Sequence, residues 1–421
     1  MISFPDQLAR VLEAAYAVRA EADAQPQRVP LHDALGLVLA EDVHTPVPLP
    51  GFDNSAMDGF AVRRDDVLGA SADAPVTLRV VADIPAGSGL DPRLQPGECA
   101  RIMTGSPVPA DADAVVPFEH TVQGVAITEQ AAPTVEVTIE PKPAANIRRA
   151  GEDAPAGALI AEACERLGAR ILSGIAAAGV AEVAVVRAPR VAIITTGDEV
   201  VAPGGTVAHG QIFDSNTTLV AGLVRECGAE VALQTHVGDG GTEFADAVAR
   251  AAEAEADVIV TTGGVSVGAF DVVRLVLSGA GDNDEPSGVA FDKVAMQPGK
   301  PQGFGRLASG QLVFALPGNP VSVFTSFEAF VKPTLRILAG EEFARRTSTA
   351  TAAEGWRTPP GRAQFMPVRS LTSGEVVRAT AGGSGSHLVS RLAAAEALAL
   401  VPAESEEVRP GDRLTIWEIL P

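Results

Sequence analysis

The sequence predicts a multidomain protein of α/β plus β class, with a central, mostly parallel sheet covered by helices on both faces. Three observations carry that expectation. Strand and helix patterns alternate from about 187 to 336, as βαβ units do; short β-branched runs broken by Gly and Pro fill about 75 to 140; and the composition turns to β-like runs and Gly/Ser turns after Gly340. A chain of 421 residues is also too long for one ordinary core, and its length suggests roughly three domains.

In chain order, Leu8, Val11, Leu12, Ala15 and Val18 recur at helical spacing and predict an amphipathic helix over 6–20. Val29 to Gly36 reads as a strand edge and a short helical turn. Pro46 to Phe52 must be irregular, because proline fixes its own φ and discourages helix before it. It leads into Asp53-Asn54-Ser55-Ala56-Met57-Asp58-Gly59. The carboxylates, amide and hydroxyl there can line a polar pocket or hold a hard cation, or form an Asx turn that introduces a strand. Within the β-rich stretch, Thr104-Gly105-Ser106 is a hydroxyl-bearing turn able to hold an anion. Arg148 and Arg149 beside Glu152 and Asp153 read as a solvated turn or part of a phosphate clamp. Leu159 to Gly179 reads as helix.

In the central region, strands are expected over 191–195, 230–237, 257–262 and 311–316. Asp214-Ser215-Asn216 caps a helix whose apolar face is Leu219, Val220, Leu223, Val224 and Cys227. A second helix turns Phe244, Ala247, Val248 and Ala251 inward. Three of the strands end in small, polar or acidic residues: Thr196-Gly197-Asp198-Glu199, Gly263-Gly264-Val265-Ser266 followed by Asp271, and Pro317-Gly318-Asn319-Pro320. Each alone is compatible with an ordinary turn. Together they predict one crevice at the carboxyl ends of parallel strands, where open α/β sheets bind ligands and free backbone N–H groups favour anions. Glycine there permits an approach that a Cβ would block. Lys293, and Lys300 in Gln297-Pro298-Gly299-Lys300-Pro301, are the candidates for neutralising a phosphate or oxyanion.

Composition excludes several classes. A formal net charge of −21 makes nucleic acid and acidic membrane surfaces poor partners. No apolar run approaches the ~20 residues needed to cross a bilayer, and the N-terminal stretch lacks the basic and apolar regions of a secretory signal. Cys99, Cys164 and Cys227 have neither metal-ligand nor disulfide-framework spacing. A reduced, cytoplasmic setting is expected.

Taken in order, Asp53 to Gly59, Met103-Thr104-Gly105, Arg149-Ala150-Gly151-Glu152-Asp153, Thr196 to Glu199, Gly263 to Gly268 with Asp271, Pro298-Gly299-Lys300-Pro301 and Leu316 to Ser322 form a specific set. On those motifs, which span nearly the whole length, the chain resembles the molybdopterin molybdenumtransferase family, the bacterial MoeA proteins and the E domain of gephyrin. The resemblance implies an elongated N-terminal domain (1–50 and 141–186), an inserted β domain (51–140), a three-layer α/β molybdopterin-binding domain (187–336) and a C-terminal β barrel (337–421). It implies a homodimer with a cleft shared between subunits. It implies insertion of molybdate into adenylylated molybdopterin with release of AMP and a divalent cation, usually magnesium.

By the same resemblance, Asp58, Glu199, Asp239, Asp271, Lys293 and Lys300 are the catalytic candidates, with Glu199 and Asp271 toward the metal. Thr104, Gly263, Gly264, Ser266, Pro317, Asn319 and Pro320 would line the substrate site, and Arg362 and Ser386 would meet molybdate. Two departures stand out. Gln297 replaces a lysine found in some members, and the 361–367 segment has Gln364 and Pro367 where an acid and a second arginine are expected. They leave a second reading open, a gephyrin-like scaffold that holds a short tail of a cytoskeletal, division or membrane protein at the dimer.

Overall fold

The computed structural model describes residues 1–21, 26–124, 131–265, 272–277, 288–379 and 389–419. Its centre is a six-stranded sheet in the order Glu230–Val237, Arg190–Thr196, Val258–Thr262, Leu312–Leu316, Pro301–Arg306, Val289–Lys293. The first four strands run parallel, and Pro301–Arg306 runs antiparallel to both of its neighbours. Alternation along Arg190–Thr196 shows why this is a three-layer fold. Val191 and Ile193 face one core, with Val220 and Val224 of the Asn216–Glu226 helix and Phe324 and Phe327 beyond it. Ala192 and Ile194 face the other, with Phe244, Ala247 and Ala251 of the Gly241–Glu253 helix and Val272 and Val273. Strands buried on both faces read as continuous apolar runs, and these do.

The N-terminal helix spans Phe4–Glu21 and buries Phe4, Gln7, Val11 and Ala15. It joins the first of those cores rather than making one of its own. Strands Gln27–Pro30 and Val38–Leu39 pair with Glu182–Val186, and Val43–His44 pairs with Leu159–Ala161. Between those segments lies a five-stranded sheet, ordered Ala114–Pro117, Gly59–Val62, Glu98–Ile102, Val76–Ile84, Thr134–Val137.

The helix expected over Leu159 to Gly179 is shorter than its pattern, covering only Ala169–Ala177. Leu159 and Ala161 are held in strand pairing with His44 and Val43, and Cys164 has a φ of 67°, which a right-handed helix cannot contain.

At the C-terminus, Ala363–Ser370 pairs with both Glu375–Arg378 and Ala397–Val401, and Arg413–Glu418 and Thr347–Ala352 close the circuit as a five-stranded barrel. Met296–Gln297 joins it in parallel against Ala363–Gln364. Phe4, Phe365 and Trp417 pack ring on ring at this junction, so barrel and central sheet share apolar contacts.

Candidate active site

The parallel strands occur in space as second, first, third and last along the chain, so the order reverses between Arg190–Thr196 and Val258–Thr262. A crevice is expected outside the carboxyl ends at that point. A hollow of about 280 Å³ lies there. Register builds it: Thr195 pairs with Thr262, and Thr262 with Leu316, so the three strands end level. Thr196, Glu199, Thr262, Gly263, Asn319 and Pro320 line it together with the 212–216 segment. The predicted convergence of three strand ends is therefore present, with Glu199, Gly263, Asn319 and Pro320 on one surface. Pro317 is buried beside them.

Glycine makes the floor. Gly263 has φ +95°, and a Cβ on it would sit 2.7 Å from Thr196 Oγ1. Its N–H donates to the Leu316 carbonyl at 3.1 Å, and the next chain passes so close that a Cβ on Gly318 would lie 3.5 Å from the Gly263 Cα. Gly264, at φ +63°, leaves room for Val273 of the following helix. The Glu199 carboxylate folds back over Gly197, where an added Cβ would meet Oε2 at 2.5 Å.

From their place in the sequence Asp214 and Asn216 are expected only to cap a helix, and Thr195 and Thr262 only to end strands. All four line the hollow. Asp214 is buried; it accepts from Thr195 Oγ1 at 3.1 Å, from the Thr217 N–H at 2.9 Å and from Thr217 Oγ1. Thr195 Oγ1 also meets His236 Nδ1 at 3.0 Å. Asn216 donates to the Gly318 carbonyl at 2.7 Å, tying its helix to the third strand end. The repeated Thr-Thr-Gly at 195–197 and 261–263 was the available signal.

Other predicted residues lie elsewhere in the chain. Asp239 is not on the hollow; its N–H donates to Asp198 Oδ1 at 3.1 Å at the neighbouring strand end. Asp58 and Thr104 form a pair on the five-stranded sheet. Asp58 Oδ1 accepts from both the N–H and Oγ1 of Thr104 at 2.7 Å, and those bonds, the N–H first, hold its pKa below the ordinary aspartate value. Nearby, Asp53 accepts from the Ala150 N–H at 2.8 Å and from Arg149 Nη1 at 2.5 Å, which lowers its pKa likewise. The Asp53–Gly59 stretch is thus a set of loop clamps. Lys293 and Lys300 flank the turn after the edge strand and do not line the hollow. Within one chain, Asp58, Asp239, Lys293 and Lys300 are not among the residues that line the hollow with Glu199. Ser266, Asp271 and Ser386 lie outside the described residues.

A further contact joins the two departures. Arg362 Nη1 donates to Gln297 Oε1 at 2.9 Å, across the pairing of Met296–Gln297 with Ala363–Gln364. Gln364 is itself buried and accepts from the Trp356 indole N–H at 2.9 Å. A lysine at 297 would instead set a like charge against Arg362.

Three family descriptions cover the chain in order: MoeA N-terminal region (domain I and II) at residues 2–179, probable molybdopterin binding domain at 192–337, and MoeA C-terminal region (domain IV) at 349–419. The chain is 42% identical over 400 residues to molybdopterin molybdenumtransferase 2 of Mycobacterium tuberculosis, covering 94% of this chain and 95% of that one. The chain belongs to the MoeA family of molybdopterin molybdenumtransferases. It is 34% identical over 396 residues to molybdopterin molybdenumtransferase of Haemophilus influenzae, with 93% of each chain covered. The fold matches a crystal structure of a molybdopterin biosynthesis MoeA protein from Pyrococcus horikoshii with a TM-score of 0.75 at 31% identity, covering 97% of this chain and 98% of that one. Family membership therefore spans all three regions, including those holding the Asp58–Thr104 and Gln297–Arg362 pairs. Among the described residues, no helix is long and apolar enough to cross a membrane.

Proposed function

We propose that this chain is a transferase of molybdenum cofactor biosynthesis that inserts molybdate into adenylylated molybdopterin and releases AMP. The observation that carries this reading is the glycine-floored hollow at the strand-order reversal, with Glu199 at its rim, in a chain that keeps the MoeA regions from end to end. Breaking a phosphoanhydride asks the protein for positioning and charge stabilisation more than for covalent chemistry. Thr196 and Thr262 offer hydroxyls at the strand ends, while Gly263 and Gly318 let those strand ends pack closely against one another beneath the hollow. Asp214 keeps its charge occupied by three donors and so shapes the wall rather than meeting an anion.

Among the described residues no three His, Cys, Asp or Glu side chains gather as a metal site. Magnesium needs less than that, since it takes one or two carboxylates and completes its shell with water and substrate phosphate. Glu199 suits that part, with Asp271 as second donor by resemblance. The cation would supply neutralisation of the departing phosphate. In a homodimer, Asp58 and Thr104 of one subunit would complete the hollow of the other, and Lys293, Lys300 and Arg362 would supply the charge for molybdate. Nothing observed favours the scaffold reading.

The test is AMP release from adenylylated molybdopterin with magnesium and molybdate. Glu199→Gln should lower the rate by roughly 10²–10³-fold, as loss of one transition-state partner does, with unchanged circular dichroism. AMP at background from the wild-type chain, beside an active relative, would refute the proposal.

A further inference from the structure

A second cavity, of about 150 Å³, lies where the 341–346 linker crosses between the Lys332–Leu338 helix and the last barrel strand. Its wall carries five cations, Arg166, Lys332, Arg336, Arg345 and Arg346, against three acids, Glu226, Glu328 and Glu418. That local excess stands on a chain of net charge −21. Several of these charges are already matched. Glu341, behind the wall, accepts from Arg166 and from Arg336, and Glu328 meets Lys332 at 3.1 Å.

Arg345 is matched differently. Its Nη2 donates to the neutral carbonyl of Glu328 at 2.8 Å, and its guanidinium lies 3.8 Å from the centre of the Trp417 ring. Among the described residues no carboxylate hydrogen-bonds it. A guanidinium carries five N–H donors, so this one brings spare donors into a cavity that is otherwise costly to line with charge. Burial pushes its pKa down to about 10. Arg346 is exposed beside it.

We propose that this cavity is a second anion site, distinct from the strand-end hollow, taking a small tetrahedral oxoanion between Arg345 and Arg346. Guanidinium forks match oxoanion geometry. A cavity of about 150 Å³ holds a benzene-sized guest, so phosphate, sulfate or molybdate fits and a nucleotide does not. The wall draws on the N-terminal region (Arg166), the central domain (Arg336), the linker (Arg345) and the barrel (Glu418). An occupant held by Arg345 acts on the barrel through that guanidinium's stack on Trp417. Glu226 and Glu418 face the same space and weaken the site.

The experiment is calorimetric titration and thermal unfolding of the full chain with phosphate, sulfate and molybdate in turn, against chloride at equal ionic strength. Saturable binding with a raised unfolding temperature is expected for at least one of the three. Arg345→Gln and Arg346→Gln should each weaken it tenfold or more, and Glu226→Gln should tighten it. Arg346 is exposed, so its variant keeps the test informative where Arg345→Gln disturbs folding. Binding should persist in Arg362→Gln, which separates this site from the molybdate position proposed at Lys293, Lys300 and Arg362. Absence of saturable binding by all three anions, binding indifferent to both Arg345→Gln and Arg346→Gln, or binding that vanishes in Arg362→Gln would each overturn the proposal.

Discussion

Replacing Gly263 by alanine tests whether the hollow's floor depends on glycine. Two costs act together. At φ +95° an L-residue is in left-handed backbone space, worth about 1–2 kcal/mol. The new Cβ would also lie 2.7 Å from Thr196 Oγ1 and 3.0 Å from the Thr196 carbonyl oxygen. Neither atom can move freely, because Thr196 ends a buried strand, and overpacking of this kind costs about 1–3 kcal/mol. The sum is about 2–5 kcal/mol. Gly204→Ala is the control: φ there is +90° and nothing lies within 4 Å of its Cβ, so only the first cost applies. Urea unfolding followed by circular dichroism gives both midpoints, and unchanged slopes would show that stability alone has shifted. Gly263→Ala should lose more than Gly204→Ala by about 1–3 kcal/mol, and should also lose AMP release. Equal midpoints for the two variants would refute the close-approach argument.

Other regions give separate tests. Asp53 has a folded pKa held below its ordinary value by the Ala150 N–H and Arg149. Its contribution is therefore full above the usual aspartate range and is lost as pH falls through the lowered value. Asp53→Asn should flatten the acid limb of a stability-against-pH curve, modestly, since that side chain is 39% exposed. Phe365, fully buried with ring centres of Phe4 and Trp417 each 4.9 Å away, should cost about 3–5 kcal/mol on truncation to alanine, read as a lower thermal midpoint. Cys99 and Cys227 are buried and their thiols pushed up to about 12, while Cys164 is exposed. A maleimide at neutral pH should label one cysteine quickly and the other two only after unfolding, counted by mass spectrometry.

Much of the fold was legible because periodicity is local. The Glu230–Val237 strand was readable to the residue, and the alternating strand–helix pattern gave the layers. Where pairing partners lie far apart in sequence, the reading failed. Leu159–Ala161 has a helix-like composition, yet becomes strand because Val43 and His44 offer an edge. The site divides the same way. Glu199, Gly263 and Asn319 converge because each ends a parallel strand, and parallel register levels the ends. Asp239 ends a strand too, but its neighbour there is Asp198, a choice set by loop geometry that no spacing encodes. Asp214 looked like a cap and is one; that it also walls the hollow follows from where its helix packs.

The Gln297 departure is best understood through its partner. On sequence alone it looked like a lost positive charge, whereas the structure makes it the acceptor for Arg362 at 2.9 Å. Gln297→Lys would put two cations in contact. Two unit charges 4 Å apart repel by about 1 kcal/mol in water and about 4 at the effective dielectric of a protein surface. Both side chains are only partly buried, so a loss of about 1–2 kcal/mol is expected, shrinking as salt screens the pair. An oxoanion bound there would reverse the sign, because it needs both charges. The variant should therefore unfold at a lower temperature than wild type in low-salt buffer and recover in molybdate beyond what equal ionic strength of chloride restores. Recovery identical in the two salts would mean that Arg362 and residue 297 form a structural contact and nothing more.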